Sequence, residues 1–490
     1  MKKSISLGAL LVIVGLFSGI FIAPVFSEGS EDKPVNYAED QAEKAKNSYD
    51  HLIRFGNILD IIEKTYVDQP DIDKIMNEAI AAVVASLDPH SEYLDPESYK
   101  QLMEQTSGSF GGLGIRVQLN DGLVKAVKVL EDTPAERAGL KDDDLITKID
   151  DTEVMGLTLD EAVDLMRGEV GTPIELMVKR DGETELLKFN LNREIIKLNP
   201  VTSEVIDNVG YLVLSSFNEL AETNLKKAID KITKAEGENL KGFILDLRGN
   251  GGGLLNQAVY VSDLFLKQGE ITSTRGRDEN QTFRFSAETK DQTDGQNLVV
   301  LINGETASSS EIVSGALQDY ERATLIGTRS FGKGSVQTII PLGDDNSALR
   351  ITTARYYTPS GRSIQAQGIL PDWVVMPIIA DGISEQLAEV KQSEATLEGH
   401  LANEKDSDDE PEDTNSSAFV PRNQDHDIQL IYALKFLNGE MKIGDENQIL
   451  EDDIKAQVET EWDELQAKKA ENQEKQDQPD AEPQDEADQK

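Results

Sequence analysis

The sequence predicts a multidomain α/β protein: an N-terminal helical region, a small β-barrel, an α/β core with a mainly parallel sheet, and a disordered acidic C-terminal tail. Three observations predict it. Apolar residues recur at three-to-four spacing up to about residue 105. From Ser107 onward, short β-type segments alternate with Gly and Asp turns. From about 196 to 380, buried-looking strands alternate with amphipathic helices, the pattern of a sheet covered on both faces. The length of 490 residues accommodates two to four domains at roughly 100–200 residues each.

Composition removes several function classes. With 91 acidic and 48 basic side chains the net charge is −43, which argues against a protein that tracks nucleic-acid phosphates. No Cys is present, so disulfides, thiolate metal sites and a Cys nucleophile are excluded. Four His leave little material for a His-based triad or a zinc site. Charge is unevenly placed: residues 401–490 hold 27 acidic and 9 basic side chains, a net of −18, against −25 for the first 400.

Taken in order, Lys2 and Lys3 precede an uncharged, apolar stretch from Ser4 to Ser27. Residues 1–27 read as a secretory signal peptide, with an uncleaved membrane anchor as the alternative. Either way the chain that follows is exported, to the periplasm or another extracytoplasmic envelope space. Residues 28–105 form the helical region, with HLIRFGNILDIIEKTY and IDKIMNEAIAAVVASL as its amphipathic segments. Such helices suit a homodimer and suit packing on the core equally. A turn around Pro89 and Pro96 follows, and His90 within it reads as a hydrogen-bonded turn residue rather than a catalyst.

Residues 106–195 give the order strand, strand, short helix, strand, helix and two strands, the last two a hairpin across Asp181-Gly182. This segment resembles a PDZ domain. Gly111-Gly112-Leu113-Gly114-Ile115 stands where that family keeps its carboxylate-binding loop, and Thr133 to Leu140 matches its short helix and turn. The resemblance makes Gly112, Leu113, Gly114 and Ile115 the expected peptide-binding residues. A Gly-rich turn can aim consecutive N–H groups at a terminal carboxylate, and the adjacent strand edge can accept a peptide tail.

In the α/β core, 196–380, strands are expected at 209–214, 242–247, 298–303 and 323–327, and helices at 224–235, 255–266 and 310–321. Sites in such sheets sit at the carboxyl ends of the strands. Beyond the core come an acidic linker (381–426), a short docked helix (427–440) and a disordered acidic tail (441–490), since low hydrophobicity with repelling charge cannot offset chain entropy.

Three features lie at strand ends: Asp246 to Gly253, Asn303 to Glu311, and Gly327 to Gln337. The third nearly spells a phosphate-binding loop, but Gly334 replaces the Ser or Thr and the continuation Ser335 to Pro341 is strand-like. Ser330-x-x-Lys333 likewise lacks the helix that its penicillin-binding counterpart needs. The glycines 249, 251 and 253 fail the dinucleotide spacing. A Gly-dense loop can still offer N–H groups to a ligand, as an oxyanion hole does. A Ser in the small-residue turn 306–310 would be an exposed nucleophile, with the Ser309 N–H as a donor. The four His lie in the helical region or beside the tail, which leaves Lys333 as the candidate base if burial keeps it neutral. Gln337, placed by strand alternation on the same face as Lys333 and Ser335, could orient the amine. From the residues alone, Lys333 as an exposed loop charge stays an open alternative.

These three features, in this order, are similar to the carboxyl-terminal processing peptidases, serine peptidases with a Ser/Lys dyad and a PDZ domain. The family's Ser motif matches Ala307-Ser308-Ser309-Ser310-Glu311-Ile312, its Phe-Gly-Lys-Gly-x-Val-Gln matches Phe331 to Gln337, and its Asp-Leu-Arg-x-Asn-x-Gly-Gly matches Asp246 to Gly253. The resemblance runs from about 45 to 440. It implies Ser308 as nucleophile, Lys333 as base, Gln337 as its helper, and an oxyanion hole from Ser309 with Gly251 or Gly252. Asp246 and Arg248 read as structural supports. No metal or cofactor is implied. The expected partners are proteins with accessible C-terminal tails, and the membrane only through an uncleaved N-terminal segment; no nucleic acid is expected. The competing readings are a non-catalytic exported PDZ adaptor and, more remotely, a nucleotide-dependent enzyme.

Overall fold

The computed structural model describes residues 37–278, 282–343, 346–381, 393–404 and 416–476, with side chains from 49 to 467. The expected signal or anchor, 1–27, lies outside the described residues. The chain divides into two compact units, 1–75 and 76–490. The first contains the helix Tyr37–Thr65. Tyr49, Leu52, Ile53, Ile58 and Ile61 of this helix are exposed.

In the second unit, strand Ser109–Gly112 pairs antiparallel with Glu194–Lys197. The chain between them forms a sheet in the spatial order 115–120, 123–129, 145–149, 173–179, 187–192. Alternate residues of these strands, among them Val124, Ile146, Leu176 and Val178, turn inward and meet Ala135 and Ala162 from two short helices. Thr158 caps the second of these helices reciprocally with Glu161, the pairing that satisfies two N-terminal N–H groups at once.

The core sheet runs 201–206, 209–214, 242–246, 298–302, 324–327, 373–374. Its first pair is antiparallel and every later pair is parallel. The period of two along a strand explains why these strands are apolar throughout. Phe243, Leu245, Leu298, Val300 and Ile302 face helices Ala221–Glu236, Leu255–Asp263 and Ser309–Asp319. Ile244, Val299 and Leu301 face the opposite side, covered by helix Ile428–Leu437. A second, antiparallel sheet is centred on the long strand Ser347–Tyr357, which pairs with Glu92–Leu94, Ser335–Leu342 and Glu270–Gly276.

Two expectations about the C-terminal part are corrected. The segment read as a disordered tail from 441 contains the helix Gln448–Gln476. Leu450, Ile454 and Val458, four residues apart, pack against the helix Ile428–Leu437 and its surroundings, and the Tyr432 hydroxyl bonds Glu451. Averaging charge over the segment hid that apolar stripe. The stretch read as an acidic linker is also partly core: Glu394 is fully buried, and Gly304 and Asn303 bond the backbone at Ser417 and Ala418.

Arg248 fastens this C-terminal part to the sheet. Its guanidinium, 1% exposed, lies 2.6 Å from Asp246 and 2.7 Å from Asp427, and its Nη1 also bonds Gln429. Tyr211 donates to Asp246 from the neighbouring strand. Burial alone would push the guanidinium's pKa down, but Asp246 and Asp427 outweigh it and hold it well above its ordinary value. Removing one partner of a buried pair leaves an uncompensated charge. Asp427→Ala should therefore lower unfolding free energy by about 3–5 kcal/mol, measured by urea denaturation; an unchanged midpoint would rule out this anchoring role.

Candidate active site

The three loops singled out in the sequence meet at the carboxyl ends of the parallel strands, around a cleft of about 790 Å³. Ser308, Ser309, Gly251, Gly252, Lys333 and Gln337 all line it. It also receives Tyr356 and Arg350 from the antiparallel sheet, and Leu102, Gln105 and Thr106 from the helix Pro96–Ser107.

Ser308 sits at the N-cap of helix Ser309–Asp319 with φ 56° and ψ −115°. A non-Gly residue at positive φ is strained by roughly 1–3 kcal/mol and needs a surrounding that enforces it. Here Glu311 enforces it. Its fully buried carboxylate accepts from the Ser308 N–H at 2.8 Å. It also accepts from the Ser330 hydroxyl at 2.6 Å, the Gly332 N–H at 2.7 Å and the Lys333 N–H at 2.9 Å. One side chain thus ties the Ser308 turn to the Lys333 loop. Burial pushes the Glu311 carboxyl up to about 7, against the pull of these four donors.

Lys333 lies in the loop before strand Ser335–Leu342, not within the strand as the alternation argument assumed. That strand also slips register between Val336 and Gln337. Ser335 and Gln337 nevertheless touch, the Gln337 amide donating to the Ser335 hydroxyl at 3.0 Å. Burial, then the positive charge of Arg350, hold the Lys333 amine below its ordinary range, while Glu394, Glu311 and Asp88 act the other way. No carboxylate among the described residues pairs directly with the amine. A lysine so placed can be neutral and accept a proton near neutral pH. The Tyr356 hydroxyl donates to the Lys333 carbonyl and lines the cleft beside Ser308.

The glycine loop lies against the Ser308 turn. Gly252 has φ 101°, and a Cβ there would come within 2.8 Å of the Ser308 Cβ and 3.0 Å of the Ser309 nitrogen. The Gly252 N–H is already bonded to Asn250 Oδ1 at 2.9 Å. Asn250 itself is fully buried and bonds Leu214 and Ser310. Among the described residues, the N–H groups of Gly251 and Ser309 have no acceptor. Of the two glycines expected as donors, Gly251 is therefore the one left available.

In the smaller domain, Gly114 has φ 82°, and a Cβ there would strike Thr133 at 2.3 Å. The carbonyls of Leu113 and Gly114 accept from Ala135 and Leu130. Strand Ile115–Asn120 is at the edge of its sheet. Gly112 to Ile115 thus form a turn at the head of that edge strand.

Sequence reasoning missed Tyr356, Arg350, Thr352, Glu394 and the role of Glu311. Glu311 had a signal, an acidic residue three positions after the Ser at a helix start, as in a capping box. The others stand in strands and loops with no local pattern. His90 is a hydrogen-bonded turn residue, but its ring partner, Glu394 at 2.7 Å, is 304 residues away.

Two family models match the chain: "Peptidase family S41" over residues 208–375 and "PDZ domain" over 111–191. A carboxy-terminal-processing protease of Bartonella bacilliformis is 49% identical, covering 81% of this chain and 90% of that one. The carboxy-terminal processing protease CtpA of Bacillus subtilis is 37% identical over 65% of this chain and 69% of its own. Among solved structures, the photosystem II D1 C-terminal processing protease is 30% identical, with TM-score 0.39, covering 66% of this chain and 86% of that one. The two family models and the Bartonella bacilliformis relative define a serine-type peptidase with a PDZ domain. The chain belongs to peptidase family S41, the carboxyl-terminal processing peptidases.

The raised Glu311 value has a signed consequence for stability. A fold that raises a carboxyl's pKa favours its protonated form, so the group's contribution is complete below about 4.5 and is lost as pH rises through about 7. Glu311→Gln does not titrate. Between pH 4.5 and 7 the native chain should lose about 3 kcal/mol relative to this variant, read from urea midpoints. A difference that stays constant with pH would mean the carboxylate is ionised throughout.

Proposed function

We propose that this chain is an exported endopeptidase that captures protein C-terminal tails through its PDZ domain and cuts near the C-terminus with a Ser308/Lys333 dyad. The observation that carries the reading is Glu311, which binds the backbone N–H of both Ser308 and Lys333 beside one cleft. The neutral Lys333 amine takes the Ser308 hydroxyl proton as Oγ attacks the scissile carbonyl. The N–H groups of Ser309 and Gly251 receive the developing oxyanion. Lys333 then returns the proton to the departing amine, and water cleaves the ester. The tail's carboxylate meets the turn Gly112 to Ile115, and its strand adds to the edge Ile115–Asn120. The matched relatives' names, carboxy-terminal processing protease, support the same substrate class.

Export rests on the basic and apolar residues 1–27. No helix among the described residues is long and apolar enough to cross a membrane, so membrane attachment would come from that segment. The exposed apolar side chains of helix Tyr37–Thr65 favour a homodimer. Leu52 and Ile53 are 66% and 59% exposed, a costly surface to leave in water. Leu52→Glu with Ile53→Glu should convert a dimer to a monomer in sedimentation equilibrium; an unchanged mass would remove this helix from any interface.

Cleavage of an unfolded, tailed substrate tests the dyad. Ser308→Ala and Lys333→Ala should each lose roughly 10³-fold or more in kcat, with Ser309→Ala far less affected. Lys333→Arg should not rescue, because a guanidinium is never neutral. In the native chain kcat/KM should rise with pH to a midpoint below 10.5, the ordinary lysine value. Full activity in Ser308→Ala or Lys333→Ala would defeat the reading, and a chain that binds tails but never cuts them would be an adaptor.

A further inference from the structure

The turn that contains His90 reaches the Lys333 loop by two hydrogen-bonded arms. The first begins at Asp88, which is 6% exposed and accepts from the His90 N–H at 2.9 Å, the Ser91 hydroxyl at 2.7 Å and the Thr352 hydroxyl at 3.1 Å. Burial pushes the Asp88 carboxyl up, but these bonds outweigh it and hold it below the usual carboxylate range. Asp88 is therefore an acceptor only. A threonine hydroxyl has one proton, and Thr352 gives it to Asp88. Its oxygen must then accept from Gln337, whose Nε2 lies 3.1 Å away. The second proton of that amide goes to the Ser335 hydroxyl. The side-chain carbonyl oxygen of Gln337 is the end left over, and Gln337 and Lys333 line the same cleft.

The second arm starts two residues later. His90 bonds Glu394 at 2.7 Å, Gln365 donates to the other Glu394 oxygen at 2.7 Å, and the Gly334 N–H donates to Gln365 at 2.9 Å. It ends on the residue that follows Lys333. Both arms originate in one tight turn, and that turn continues into strand Glu92–Leu94, paired with the Thr352 strand.

We propose that Asp88 and Thr352 are positioning residues for Lys333: their bond fixes the Gln337 amide so that its carbonyl oxygen faces the amine and holds it toward Ser308. Direction is the essential element. A carboxylate at position 88 sets the sense of every bond along the arm, and a reversed amide would set N–H groups against the amine. The inference rests on the reading of Lys333 as the base.

Steady-state cleavage of a tailed peptide by the full chain tests it. Thr352→Val keeps the side-chain shape and removes the relay; kcat should fall about 10- to 100-fold, with KM within about 2-fold. Thr352→Ser restores the hydroxyl and should return kcat to within about 3-fold of the native value. Asp88→Asn, which can donate to Thr352, should lower kcat similarly. It should also move the pH midpoint of kcat/KM downward, since a negative charge favouring protonated Lys333 is lost. The other charged groups acting on that amine are Arg350 of the long strand, Glu311, and Glu394 with His90 beyond it, while Tyr356 meets only the Lys333 carbonyl; all remain. A purely structural role would lower thermal stability and leave kcat of the folded Thr352→Val enzyme native, with nothing for Thr352→Ser to rescue. Native kcat and midpoint in both Thr352→Val and Asp88→Asn, with Ser308→Ala and Lys333→Ala inactive, would overturn the relay and leave the dyad intact. Activity in Lys333→Ala would instead overturn the dyad. If Thr352→Val does not fold, kcat of Asp88→Asn decides: a native kcat overturns the relay, and a fall of about 10-fold or more with KM unchanged supports it.

Discussion

The cleft depends on one buried carboxylate. Glu311 accepts four hydrogen bonds, from Ser308, Ser330, Gly332 and Lys333. Three of these donors are backbone N–H groups, so the carboxylate fixes chain paths rather than side chains. A helix N-terminus carries unpaired N–H groups and a positive partial charge, which suits a carboxylate at its third position. By using that carboxylate to bind a second loop, the fold brings Ser308 and Lys333 to one place. The positive φ of Ser308 follows from the same constraint, because the turn must deliver its N–H to Glu311 while its side chain faces the cleft.

The remainder of the core keeps that junction rigid. Arg248, buried between Asp246 and Asp427, locks the helix Ile428–Leu437 over the far face of the sheet. Asn250, two residues on, staples the glycine loop to the Ser308 turn, its carbonyl accepting from Ala307 and Ser310, and to the strand 209–214 through Leu214. The loop that offers N–H groups to the cleft therefore begins where the buried ion pair ends. On the other wall, strand Ser347–Tyr357 carries Arg350, Thr352 and Tyr356, so an antiparallel sheet with no signature of its own supplies much of the polarity around Lys333.

Much of the architecture was legible in local pattern. The strands 209–214, 242–246, 298–302 and 324–327 are apolar at nearly every position because both faces are covered, and the alternation with helices followed. The charged end of the chain was harder. Leu450, Ile454 and Val458 form a stripe only when one counts by fours, and surrounding acids masked it. For the cleft, the motifs at 246–253, 303–311 and 327–337 were visible as departures from ordinary loop composition. The alternation rule failed at Lys333 because the strand starts two residues later and then bulges.

The amino-acid sequence by itself determined which chemistry is available: no thiol, almost no imidazole, one Ser-rich turn and one Gly-flanked lysine. It determined the domain order too, because periodicity and turn residues are local properties. Only the tertiary structure decided that Glu311 joins the two loops, that the Gly252 N–H is already engaged and Gly251 is not, and that Asp88 and Glu394, the latter bonded to His90, act on Lys333. The joining of the loops depends on contacts between residues tens to hundreds of positions apart, the Gly252 bond to Asn250 on the shape of a local turn, and the direction of a hydrogen bond is set by its partner, which no local pattern contains.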